Sequence, residues 1–138
     1  MTLDKLFLAL HVMGAMMWIG GLFATMAFLD AHAGEPDAAA RERLLVHLRA
    51  AAIVPDVGLS IALVFGLHWL FRFKLYEAHY MHPKLAIVAV LIGLHVFLRM
   101  KVKRAKAGEP FKVPAPLKPA VSMLALGVLI FVLSKWPE

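Results

Sequence analysis

Met81-His82-Pro83-Lys84-Leu85-Ala86-Ile87-Val88-Ala89-Val90-Leu91-Ile92-Gly93-Leu94-His95 decides how this chain is read. It opens on a histidine, a proline and a lysine, runs ten residues without a charge, and closes on a second histidine. Carried on to Leu98, the run is long enough to cross most of a bilayer. Ionisable groups inside such a run are costly, roughly 2.5–3.5 kcal/mol for a central lysine on insertion scales, so His82, Lys84 and His95 are functional candidates by default. Lys84 and His95 are eleven residues apart, which leaves only about 20° between them on a helix and roughly 16 Å in depth. His82 and His95 differ by thirteen, about 220°, and point to nearly opposite sides.

Three further apolar segments lie around this one: Leu6–Leu29, Ala51–Phe71 and Leu117–Leu133. Each supplies close to the ~20 residues of a spanning helix. The expected fold is all-α, an integral membrane four-helix bundle in a single domain, with spans at about 4–30, 50–72, 82–101 and 116–136. The composition agrees, because 62% hydrophobic residues and a mean hydropathy of +0.77 exceed what a 138-residue soluble domain can hide. Ala31-His32-Ala33 mimics a signal-peptidase site, but the preceding apolar run is longer than a signal h-region, so retention as a spanning helix is expected.

Cysteine is absent, which excludes disulfides, iron–sulfur clusters and thiolate metal sites. Ligation then falls to His, Met, Lys or carboxylate. The formal charge of +6 sits beside apolar segments, the pattern of a topology signal, and no nucleic-acid partner is expected. Arg41, Arg43 and Arg49 follow the first span; Arg99, Lys101, Lys103, Arg104, Lys106, Lys112 and Lys118 follow the third. Lys5, Arg72, Lys74, Lys84 and Lys135 fall on the other side. The heavier side is expected to be cytoplasmic, with both termini outside.

Ala33-Gly34-Glu35-Pro36 and Ala107-Gly108-Glu109-Pro110 repeat one helix-stop pattern, Gly followed closely by Pro. Residues 37–52 are strongly helix-forming and are expected to run along the cytoplasmic surface into the second span, which Pro55 should bend near its start. Residues 112–119, with three prolines, read as an extended approach to the fourth.

His11 and Trp18 are seven apart and nearly superposed on the first helix, with Gly14 and Gly21 nearby for close packing. His68, next to Trp69, sits near the outer end of the second span, and His82 and Lys84 gather at the same level. A b-type haem needs one or two axial ligands from facing helices, which His11 with a histidine of the second or third helix satisfies, and Lys84 could pair with a propionate. Met13, Met16 and Met17 lie close to His11 in sequence and allow a second reading, a His-Met copper path, because thioethers suit Cu(I). Asp56 is the one acid inside a span, and it is expected close to the cytoplasmic end. His32, His47 and His79 are expected to be solvated loop or interface residues.

His11 with Trp18 and Gly21-Leu22-Phe23, then Pro55 with Phe65-Gly66-Leu67, then Met81-His82-Pro83-Lys84-Leu85 with His95, resemble in order and spacing the HemJ-type protoporphyrinogen oxidases. The related copper-resistance D (CopD) membrane domains share a similar helical plan. The resemblance implies a multi-pass protein of a bacterial inner membrane that binds haem b and oxidises a tetrapyrrole, as a homo-oligomer or with a partner redox protein. It carries over His11, His82 and His95 as iron-ligand candidates and Lys84 as the essential polar residue; Trp18 and His68, from their positions in the first two spans, are further candidate cofactor contacts. Where family members have a Pro-Arg pair, this chain has Met26-Ala27. The alternatives are a CopD-like copper transporter and a non-catalytic cytochrome b subunit.

Overall fold

The computed structural model describes residues 2–134 and contains four α-helices: α1 (Leu3–Gly34), α2 (Ala38–Arg72), α3 (His82–Lys106) and α4 (Leu117–Ser134). The expected end of the last span, and Lys135, lie outside the described residues. Among the described residues three helices are long and apolar enough to cross a membrane: α1, α2 and α3 with the short turn before it.

α1 and α2 form an antiparallel pair joined by three residues. At one end Asp4 meets Arg72 and Phe7 meets Phe65; at the other Phe28 stacks on His47. Glycine explains how closely they approach. A Cβ on Gly14 would lie 2.6 Å from the Ala62 backbone nitrogen, and one on Gly21 would lie 2.6 Å from Pro55 Cδ. A Cβ on Gly58 would collide with the backbone of Met17 and Trp18. The buried residues recur every three to four positions, at Gly14, Trp18, Gly21, Thr25 and Leu29 on α1 and at Leu48, Ala52, Pro55, Gly58 and Ala62 on α2. That is one continuous seam.

α3 adds Leu91, His95, Leu98, Val102 and Ala105 at the same spacing. The core therefore lies towards the C-terminal ends of α1 and α3 and the N-terminal half of α2, and Val113 and Val121 close it from the last connection and α4. Outside the seam the surface is apolar: Met16, Val64 and Met123 are 71%, 63% and 72% exposed. Such a surface suits hydrocarbon better than water.

Several details differ from the sequence reading. Residues 38–52 are not a separate helix; they form the first half of one continuous α2, with Leu48 and Ala52 buried in the core that α1 shares. Pro55 consequently falls at mid-helix. The two Ala-Gly-Glu-Pro segments also part ways. Gly108 takes φ +90° and closes α3 with Gly108 N–H to Ala105 O and Glu109 N–H to Arg104 O, whereas Gly34 stays helical. The approach to α4 is shorter than expected, since Pro119 sits in its first turn, where a missing N–H costs nothing. His32 is buried at 7% exposure in the last turn of α1, not solvated, because α1 runs on to Gly34.

Candidate functional site

Two arrangements of polar groups interrupt the apolar seam. The first is at His11. Its Nδ1–H donates to the carbonyl of Ala62 at 2.8 Å. A carbonyl can only accept, so the proton is on Nδ1 and Nε2 keeps its lone pair. Gly66 makes room for the ring: a Cβ there would lie 2.8 Å from His11 Cε1. Lys84 is half-buried on α3. An imidazole tethered through one nitrogen to a backbone carbonyl, with the other free, is how metal-ligating histidines are oriented.

The second crosses three helices. Trp18 Nε1–H donates to His95 Nδ1 at 3.2 Å, so this histidine carries its proton on Nε2. His95 Nε2–H in turn meets Asp56 Oδ1 at 2.9 Å. The other carboxylate oxygen of Asp56 faces Arg99 Nη2 at 3.2 Å. His95 is 7% exposed, and both its nitrogens are engaged. As bonded here, it offers no lone pair to a metal.

No protein-family model matches this chain, and no curated protein or solved structure matches it.

The remaining predicted residues are placed as follows. Lys84 and His95 share the inward face of α3, as their spacing requires, and His82 is exposed at its first residue. His82 Nε2–H reaches the Tyr76 carbonyl at 3.2 Å, and its ring meets His79 edge-on. His68 packs edge-on against Phe7. Trp18 belongs with His95 rather than with His11. Met13, Met16 and Met17 line a groove with Leu8 and Val12 on the outer side of α1. Met13 is about 200° from His11 around the helix, so sequence proximity did not become contact.

Sequence reasoning missed Asp56, Arg99 and Gly66. Asp56 is near the centre of α2, which begins at Ala38. Its signal was legible as the one carboxylate inside an apolar run.

Haem makes modest demands on the protein, since the porphyrin itself supplies four of the iron's donors. Among the described residues no group of three or more His, Asp or Glu is placed to hold a bare metal ion. At His11 the ring nitrogen left without a hydrogen bond is Nε2, so a single donor nitrogen is what this residue can offer.

Proposed function

We propose that this chain is an integral membrane haem b redox protein, similar in plan to the HemJ-type oxidases, with protoporphyrinogen oxidation as its activity. The observation that carries the reading is the His11 imidazole, fixed by Ala62 in the tautomer that leaves Nε2 free. Bound there, haem iron would supply one-electron transfer. His11 would hold the iron, and the Ala62 carbonyl would raise the basicity of the ligating nitrogen. Lys84 offers an ammonium to a propionate, a charge-assisted bond strengthened by the apolar surroundings. The three long apolar helices support residence in a membrane, and the excess of Lys and Arg after α1 and α3 supports a cytoplasmic placement of that end, in a bacterial inner membrane.

The separation of His11 from the methionine groove favours this reading over copper transport. Reduced-minus-oxidised spectra of the purified protein test it. A haem α band is expected, lost in His11→Ala; its absence in the wild type overturns the reading. Oxidase activity is judged separately by complementing a strain that lacks protoporphyrinogen oxidase, which a mere electron carrier would fail to do.

A further inference from the structure

The C-terminal half of α3 borders a groove that the redox reading does not use. It has a volume of about 640 Å³ and is lined by His95, Val96, Arg99, Met100, Lys103 and Lys106. His95, Arg99, Lys103 and Lys106 fall within about 80° of one another around the helix and span about 16 Å along it. Val96 and Met100, each 51% exposed, form the apolar wall beside them. Exposed Ala89 and Gly93 continue that wall towards the middle of α3.

The cations are unevenly partnered. Arg99 has one carboxylate, Asp56, and Lys101 lies over the rings of Phe97 and Phe111. Lys103 and Lys106 have no ion-pair partner among the described residues. The groove thus places two free ammonium groups and a shared guanidinium below an apolar track, where α3 leaves its apolar stretch. An anionic headgroup on an acyl chain complements both parts.

We propose that this groove is a binding site for an anionic phospholipid, its phosphate held by Lys103, Lys106 and Arg99 and an acyl chain laid along Met100, Val96 and Gly93. It rests on the membrane reading above and is independent of haem.

Native mass spectrometry of the full chain in neutral detergent, titrated with phosphatidylglycerol or phosphatidylcholine, tests the site. Phosphatidylglycerol adducts are expected to dominate and to weaken about five-fold for each lysine removed in Lys103→Gln/Lys106→Gln. Arg104→Gln/Lys112→Gln removes the same charge outside the groove and should leave binding unchanged. All four side chains are exposed, so folding survives; the circular dichroism spectrum checks this. Equal losses in the two pairs, or equal binding of phosphatidylcholine, overturn the proposal. Displacement of the lipid by millimolar inorganic phosphate, or preferentially by a porphyrin dicarboxylate, also overturns it. Release of the protein from membranes by alkaline carbonate would instead defeat the membrane reading itself.

Discussion

His95 and Asp56 are joined by a 2.9 Å hydrogen bond that ties the buried face of α3 to the middle of α2. A carboxylate at mid-helix in an apolar segment is tolerated because its two oxygens are divided between His95 and Arg99. Removing it in Asp56→Ala leaves the buried His95 N–H unanswered, at a cost of about 1–3 kcal/mol. Asp56→Asn keeps an acceptor for His95 and loses only the charge facing Arg99, so it should cost less. Thermal unfolding in detergent ranks the two variants. Equal melting temperatures for Asp56→Ala and wild type would remove the chain's structural role.

Trp18 is the other half of the same constraint. Trp18→Phe deletes the donor to His95 Nδ1 and releases the imidazole from its single tautomer. The lost bond is worth about 1 kcal/mol, and the smaller ring adds a packing cost. A double-mutant cycle of Trp18→Phe with Asp56→Asn separates the two contributions. Because both residues act on one imidazole, a coupling of about 0.5 kcal/mol or more is expected; strictly additive costs would show that the chain is not a unit.

What could be read in advance follows from what helical periodicity encodes. The Lys84–His95 face and the exclusion of His82 came directly from spacing, because both lie on one helix and 100° per residue holds there. The pairing of Trp18 with His95 lies across helices, and no period within α1 or α3 specifies which residue of one meets which of the other. The same gap hid Gly66, whose role is to make room for His11, a ring 55 positions away in the chain. The start of α2 was hidden for a different reason. Residues 38–50 are charged enough to look like a surface helix, yet Leu48 and Ala52 bury against α1 and draw that whole segment into α2.

Asp30 fastens the last connection to α1. Its Oδ1 accepts the Val113 backbone N–H at 2.7 Å, and its Oδ2 faces Lys118 Nζ at 3.2 Å. Asp30→Ala frees residues 109–116, and trypsin should then cut after Lys112 faster than in the wild type. Asp30→Asn retains an acceptor for Val113 N–H and should slow the cleavage again. Identical digestion rates in all three proteins would contradict this anchoring.

Backbone approach between α1 and α2 predicts opposite outcomes for two glycines in adjoining turns of the pair. Gly58→Ala drives a methyl into the backbone of Met17 and Trp18, which can yield only by separating the helices. A loss of about 1–3 kcal/mol is expected, as in an overpacked core. Gly20→Ala meets nothing within 4 Å and improves helix propensity, so it should be neutral or stabilising by up to about 1 kcal/mol. Melting temperatures of the two variants, compared in one detergent, check the contrast.

Gly66→Ala separates the position of His11 from its mere presence. The added methyl would stand 2.8 Å from His11 Cε1 and 2.9 Å from Nδ1, so the ring must turn and give up the Ala62 carbonyl. No ligating atom is removed. If His11 binds haem iron through Nε2, the α band of Gly66→Ala should shift or fall, because losing an orienting partner typically costs 10–100-fold in affinity. Gly93→Ala, whose added methyl meets nothing within 4 Å, controls for the substitution itself. A Gly66→Ala spectrum indistinguishable from that of Gly93→Ala would mean that the iron does not depend on where His11 points.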